Sequence, residues 1–552
     1  RLDLSSKGRR FSCPLAKPGC QATGAAGATA NMARSPDGRR AVFVRDFNLW
    51  VRDLETGEDR PLTTDGRRHA AYASTSETAL GILMGLPLPA EAAPAVIWSP
   101  DSRHLLTVRI DETQLGELPV VEQVPRDTLL PKVHTFRYGF VTEPGRLREQ
   151  LYVVDTVGGT VRELQVETQP LTFDSTLFMR RAWWSADGRQ LAVAIADPAE
   201  RWIELHKVDP ASGAARRLFR EEHPRRVAIA GELQHPPAVA LLSGGDIVWY
   251  SSRDGFGHLY RIDGETGAVR HALTQGPWTV HRLLFVDERA GWIYFAAGGD
   301  TYADEPYFAS VYRVRLDGTR LARLTPETAD HQVATEFIGP GAPAPVTSRG
   351  VAPDGRHFVS TASTPLQPEV SVLRAADGRV IAELGRARLS PLVAERYRPP
   401  ERFSVPAPAG EEKLHGLLLF PSDFDPARKY PVIDAIYNGP QVVEHPRRFA
   451  RTVFGEAQSL AELGFVVIVM DARGTPLRSR AFLEFSARHP DQVAGIGDHV
   501  HAIRALAASR PYMDLERVGV AGTSNGGYAA LRAMLAYPEF FKVGVAANGS
   551  HD

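Results

Sequence analysis

A chain of 552 residues is too long for one ordinary hydrophobic core, so two or more domains are expected. Its 64 Lys and Arg against 65 Asp and Glu leave a formal net charge of -1, which excludes the general basic field that draws nucleic acid. At 43% hydrophobic and 23% charged it reads as globular, and no apolar run approaches the ~18–20 residues of a membrane span.

Residues 1–30 form an N-terminal segment. Its opening, "RLDLSSKGRRFSCPLAKPGC", lacks an initiator Met and shows neither the apolar core nor the small-residue cleavage site of a signal peptide. Cys13 and Cys20, the two cysteines of the chain, fit a local disulfide in an oxidising compartment and fit two free thiols equally. The pair favours a periplasmic or secreted location over the cytoplasm, and without a nearby His cluster it argues against structural zinc.

Residues 31–384 carry a loose repeat: "SPDGRRAVFV" at 35, "WSPDSRHLLTVRID" at 98, "WSADGRQLAVAIAD" at 184, "SGGDIVWYSSRDG" at 243, "VDERAGWIYFAAGGD" at 286 and "VAPDGRHFVSTAS" at 351. Each is a turn signal followed by alternating apolar residues, and most lead to a second strand and turn, as in "HLYRIDGETGAVRHALT". One small antiparallel sheet cannot cover its own faces, but sheets stacked radially cover one another, so the spacing predicts a β-propeller. The long gap between 98 and 184 leaves room for a further blade around "EQLYVVDTVGGTVRELQ", which makes seven or eight blades the expectation.

From 385 to 552 the pattern changes to an α/β domain. "ERFSVPAPAGEEKLHGLLLF" reads as a strand pair, Val432 to Ile436 as a buried strand, and "AQSLAELGFVVIVMDARG" as helix then strand. "GDHVHAIRALAASRPYMDLERVGVAGTS" repeats helix then strand, so a mostly parallel sheet covered by helices is predicted. The chain then turns at "GTSNGG" into the apolar periodicity of "YAALRAMLAYP". Strand, glycine-bounded turn and helix are the context of a nucleophile elbow, in which Ser524 is lifted from the sheet and the N–H of Asn525 faces the developing oxyanion. "IYNGPQ" follows a buried strand where such sheets place a second oxyanion donor, and Tyr437 can supply it through its phenol.

Together these motifs resemble the prolyl oligopeptidase family of serine peptidases, in its dipeptidyl-peptidase-IV-like branch. The features in order are the "WSPDS" repeats, "PKVHTFRYG" (131–139), "YNGPQ", "VMDARGTPLRSRAF" (469–482) and "GTSNGGY". The resemblance implies an α/β-hydrolase domain capped by a β-propeller and the cleavage of short peptides, often after proline. It assigns Ser524 as nucleophile, Tyr437 as side-chain oxyanion donor and Asn525 as backbone oxyanion donor, with Asp471 and Arg473 as scaffold. It implies peptide as substrate and no metal or organic cofactor, and it is compatible with a homodimer.

Two departures stand out. A Ser-Asp-His triad in that order is not found: the residues after Ser524 end in "AANGSHD", where His551 and Asp552 are in reverse order, and His499 and His501 read as packed or solvated imidazoles. The hydrolase domain is therefore expected to stop before its acid and base, and the 552-residue chain to be inactive. The paired glutamates that hold the substrate amine in dipeptidyl peptidases are also missing, since Glu77 and Glu91 stand apart. An acyl-ester or acylaminoacyl hydrolase and a noncatalytic peptide-binding propeller are the competing readings.

Overall fold

The computed structural model describes residues 2–551 except 7–8, 15–20, 26–30, 75–93, 139–147, 170–175, 178, 232–235, 300–304, 334–349, 353, 409–411 and 490–493. Cys20, Glu77, Glu91 and Asp552 lie outside the described residues.

The repeated turns share one wiring. The Ser35 hydroxyl donates to the Asp37 carboxylate at 2.6 Å, which accepts the Arg39 N–H at 3.0 Å, while the Ser35 N–H reaches the Arg40 carbonyl at 2.9 Å. Ser99, Asp101, Arg103 and His104 repeat this pattern, as do Ser185, Asp187, Arg189 and Gln190. The residue after the aspartate pair of each turn is left-handed, with φ of 73° at Gly38, 63° at Ser102 and 71° at Gly188, which is why glycine recurs there.

Among the described residues these turns feed six successive antiparallel sheets, within 33–61, 70–163, 182–222, 240–272, 279–323 and 330–386. Alternate residues of a strand face opposite neighbours. Leu105 packs with Val42 and Leu49 of the first sheet, whereas Leu106 packs with Leu191 and Val193 of the third. Ala192 and Ile203 turn instead to Ile247 and Trp249 of the fourth, Val248 and Leu259 to Ile293 and Phe295 of the fifth, and Tyr294 to Phe358 of the sixth. Each sheet is thus covered by its neighbours in sequence. Two indoles also donate backwards, Trp98 to the Ala33 carbonyl and Trp184 to the Ile97 carbonyl, both at 3.2 Å.

One expectation is corrected. "EQLYVVDTVGGTVRELQ" forms no blade of its own: strand Arg148–Asp155 pairs antiparallel with His104–Asp111, Thr107 opposite Tyr152, and completes the second sheet. The gap is long because residues between them form a separate hairpin, Gly116–Glu122 with Lys132–Tyr138. A further three-stranded sheet is built from Leu2–Ser6, Arg9–Cys13 and Gln21–Ala25.

The C-terminal sheet has six strands: β1 (Glu401–Pro406), β2 (Lys413–Leu419), β3 (Tyr430–Ala435), β4 (Val466–Asp471), β5 (Met513–Thr523) and β6 (Phe541–Ala547), in the order β1-β2-β4-β3-β5-β6. β1–β2 and β2–β4 are antiparallel, and the other three pairings are parallel. Every residue of β4 is buried, as a strand covered on both faces requires. Val500 and Ile503 of helix α1 (Ile496–Ala507) and Ala529, Ala530 and Ala533 of helix α2 (Asn525–Ala536) pack with Val432, Ile468, Val518 and Val520. β6 forms one edge of this sheet, where Val543 is 62% and Val545 57% exposed. Among the described residues no helix is long and apolar enough to cross a membrane.

The two regions meet across a polar seam. Arg480 donates its N–H to the Gly255 carbonyl at 2.7 Å and its guanidinium to the Ser252 hydroxyl at 2.8 Å. Deeper in, the buried Glu305 carboxylate takes Nε2 of His445 at 2.9 Å and the Arg402 guanidinium at 2.5 Å. Burial alone would raise its pKa, but the His445 and Arg402 charges and hydrogen bonds outweigh that and hold it down to about 2. His415, buried nearby and close to Arg478, is held neutral with its pKa lowered to about 3.

Candidate active site

Ser524 stands between β5 and α2 with φ 60° and ψ −121°, a backbone state that costs a non-glycine residue on the order of 1–3 kcal/mol. Two hydrogen bonds pin it there: its N–H donates to the Ala547 carbonyl of β6 at 2.9 Å, and its carbonyl accepts the Tyr528 N–H at 3.1 Å, opening α2. The flanking glycines are required by close backbone approach. A Cβ on Gly526 would sit 2.3 Å from the Ile436 carbonyl oxygen, one on Gly522 2.3 Å from the Gly526 carbonyl oxygen, and one on Gly527 2.3 Å from the Ala547 carbonyl oxygen. The ends of β3, β5 and β6 therefore converge on the turn and leave the serine at the surface. Ser524 is exposed, and its hydroxyl makes no hydrogen bond among the described residues.

Tyr437 and Asn525 are brought to the same turn. Ile436, the residue before Tyr437, donates its N–H to the Ala521 carbonyl at 3.0 Å, which fixes the Tyr437 loop against β5. The Asn525 side-chain amide then donates to the Tyr437 carbonyl at 3.3 Å and the Asn438 carbonyl at 3.1 Å, clamping the loop to the start of α2. The half-buried Tyr437 phenol accepts from Nε2 of Gln441 at 3.2 Å. Asn438, left-handed at φ 43°, accepts the Ala472 N–H at 2.9 Å through Oδ1 and so ties the loop to the end of β4. The sequence motif "YNGPQ" contained both Asn438 and Gln441, but residue type alone gave neither a task; their partners lie on separate strands or turns.

The scaffold residues are as tightly held. Asp471, fully buried, accepts the Glu444 and His445 N–H groups at 3.1 and 2.8 Å, and desolvation lifts its pKa to about 6. Arg473 grips Asp498 of α1 with Nε at 2.9 Å and an Nη at 2.6 Å, and lies over the Phe485 ring at 3.6 Å. Both turn inward to hold loops.

The histidines are otherwise engaged. His499 is fully buried with Nδ1 2.9 Å from Asp434 Oδ1; burial disfavours its cation, but the Asp434 charge and hydrogen bond outweigh burial and raise its pKa. His501 bonds the Pro406 carbonyl at 3.1 Å, and His551 is exposed. No imidazole is hydrogen-bonded to Ser524 among the described residues. Nor does any group of three His, Cys, Asp or Glu side chains converge there as metal ligands. The arrangement provides an exposed hydroxyl, a backbone N–H at a helix start and a phenol on a clamped loop, which suits attack on a carbonyl.

Comparison with known proteins gives a consistent picture. Residues 5–369 match the model of the dipeptidyl peptidase IV N-terminal region, and residues 451–552 match that of the prolyl oligopeptidase family. The chain is 23% identical to dipeptidyl peptidase 8 of Mus musculus over 92% of its own length and 62% of that protein's. It is 22% identical to dipeptidyl peptidase 8 of Homo sapiens over 92% of its length and 61% of that protein's. It therefore spans less than two thirds of these curated relatives. The crystal structure of dipeptidyl peptidase 4 from Porphyromonas gingivalis superposes on 98% of this chain and 71% of that one, with a TM-score of 0.70 and 22% identity, which shows a shared propeller and α/β-hydrolase fold.

Proposed function

The chain belongs to the prolyl oligopeptidase family, in its dipeptidyl-peptidase-IV-like branch, and from that premise we propose that it is the greater part of a serine peptidase acting on short peptides, with preference near proline. The observation that carries this reading is the exposed, unbonded Ser524 hydroxyl held in a strained turn beside Tyr437 and Asn525. Its Oγ attacks the substrate carbonyl carbon and gives up its proton to a base. The Tyr437 phenol and the Asn525 N–H take the oxyanion, the C–N bond breaks with protonation of the leaving amine, and water releases the acyl group. The radial sheets restrict entry to short or unstructured peptides. The N-terminal three-stranded sheet supports a seventh blade, within the seven or eight expected.

The 552-residue chain alone is inactive on this reading, because no described imidazole engages Ser524. A Pro-linked chromogenic dipeptide tests both parts. A longer polypeptide carrying this chain should hydrolyse it and lose that activity with Ser524→Ala; turnover by the 552 residues alone would sink the inactivity. Cleavage of a simple ester but of no peptide would favour an acyl-ester or acylaminoacyl hydrolase, and peptide binding without either reaction a noncatalytic propeller. The lone hairpin Gly116–Glu122 with Lys132–Tyr138, which exposes Val124, Leu129 and Leu130 along its connection and Val133 on its second strand, supports pairing with a second copy. Sedimentation of Leu130→Asp against the parent chain checks that assembly.

A further inference from the structure

A second chemical feature lies beside the catalytic loop, in a cavity of ≈ 40 Å³ between the third sheet and the hydrolase domain. Its hydrolase wall is Pro440, Pro476 and Leu483; its other apolar surface includes Ile203, Val227 and Ile229. Pro440 belongs to the loop that carries Tyr437, and a Cβ on the adjoining Gly439 would lie 2.5 Å from the Asn525 side-chain amide, so the cavity is one residue away from the groups around Ser524.

Among the described lining residues the charged ones are Arg181, Glu200 and Arg226. The Glu200 carboxylate takes Arg181 at 2.5 Å on one oxygen and Arg226, through Nε and an Nη, at 2.7 Å on the other. Glu200 is held between them by a left-handed backbone, φ 53°, with its N–H on the Asp197 carbonyl and its own carbonyl accepting the Val227 N–H, both at 2.7 Å. That turn places a single negative charge between two positive ones, leaving the cluster one positive charge in excess. Among the described residues neither guanidinium has another side-chain partner, so N–H donors of both remain unspent while the Arg181 side chain is only 10% exposed. A cationic cluster with free donors, low exposure and apolar walls has the anatomy of a ligand subsite. Its size selects the ligand: ≈ 40 Å³ holds about two or three waters, or one carboxylate, and not a full side chain.

We propose that Arg181 and Arg226, set by Glu200, form a carboxylate-binding subsite that takes the terminal carboxylate or an acidic side chain of a short peptide. This rests on reading the cavity as part of the peptide-binding space around Ser524. The two residues are specificity determinants in that proposal and take no part in the bond-breaking step.

Equilibrium binding to the 552-residue chain tests it without turnover. Three fluorescent peptides are compared by anisotropy: Gly-Pro-Ala with a free carboxyl terminus, Gly-Pro-Ala amide, and Gly-Pro-Glu amide. A charge-assisted pair predicts that a carboxylate-bearing peptide binds about tenfold or more tighter than Gly-Pro-Ala amide, with the gap shrinking as salt rises. The free-terminus and Glu arms identify which carboxylate is taken. Arg226→Met should remove most of the gap and Arg226→Lys only part of it, with circular dichroism melts showing that both variants fold; Arg181→Met serves in the same way if Arg226→Met does not. Equal binding of acid and amide, a gap unchanged in the folded methionine variants, or no binding of any probe overturns the proposal. Ser524→Ala should leave the gap unchanged, so a failure of the peptidase reading in the hydrolysis assay and a failure of the subsite are separately visible.

Discussion

The propeller turns and the catalytic turn both set a serine beside glycine, and they treat its hydroxyl in opposite ways. Ser35, Ser99 and Ser185 hand their oxygens to an aspartate two residues on, in a conformation whose strained position is filled twice out of three by glycine. Ser524 itself takes the left-handed position, keeps its hydroxyl free, and is held by backbone partners from two other strands. A structural serine completes its turn; a reactive one is supported by a turn that its side chain does not help to build. Strain at Ser524 is thus maintained by surrounding packing, and its removal should affect chemistry far more than stability.

The sharpest test of that contrast is Ser524→Ala. In a polypeptide that hydrolyses peptides through this chain, it should lower kcat by a factor on the order of 10⁴ or more while leaving Tm nearly unchanged. Tyr437→Phe comes next: loss of one oxyanion donor predicts a fall in kcat on the order of 10² to 10³ with little change in KM. Gly526→Ala reverses the balance, because its Cβ would meet backbone and not a movable side chain. It should destabilise the chain by about 2–4 kcal/mol, read as a shifted denaturant midpoint.

The seam between the two regions gives a test in pH. As pH falls below about 6.5, His415 gains a proton in the unfolded chain but not in the folded one until about pH 3, so it lowers stability. Asp471 acts in the other direction, since the folded chain takes up its proton near pH 6 and the unfolded chain only near 3.8. Glu305 contributes stability above 4.5 that is lost as pH falls toward about 2. Between about pH 6 and 4.5 the first two offset each other. His415→Leu should leave Asp471 unopposed, so that stability rises as pH falls through this window, by at most about 1.4 kcal/mol per pH unit. A flat profile in that variant would contradict the assignment. The smallest effect belongs to the structural serines: Ser99→Ala should cost about 1–2 kcal/mol in thermal unfolding and leave any hydrolysis intact.

Much of this contrast was legible in the sequence. The six turn signals each introduce one sheet, because a serine, an aspartate and a glycine at fixed spacing specify a turn locally. The elbow was legible for the same reason. The extra blade at "EQLYVVDTVGGTVRELQ" was misjudged because strand pairing is not local: Tyr152 finds Thr107 across an intervening hairpin. Long separation also hid the Glu305 cluster, whose partners Arg402 and His445 lie 97 and 140 residues further on. The same holds for Arg181, Glu200 and Arg226, ordinary surface residue types until the fold sets them around one cavity. His499 read as a packed imidazole, and it is one, with Asp434 as a partner that the sequence did not identify.

The backward-reaching indoles, Trp98 to Ala33 and Trp184 to Ile97, have a consequence for the order of assembly on the ribosome. A new sheet docks on one already synthesised, so that part of the scaffold can harden vectorially as the chain emerges. The elbow cannot: Ser524 needs the carbonyl of Ala547, twenty-three residues downstream, before its N–H is satisfied. The nucleophile is therefore set only after the walls around it have been made, and limited proteolysis of nascent chains stalled before and after Ala547 should find the early sheets protected in both and the elbow only in the second.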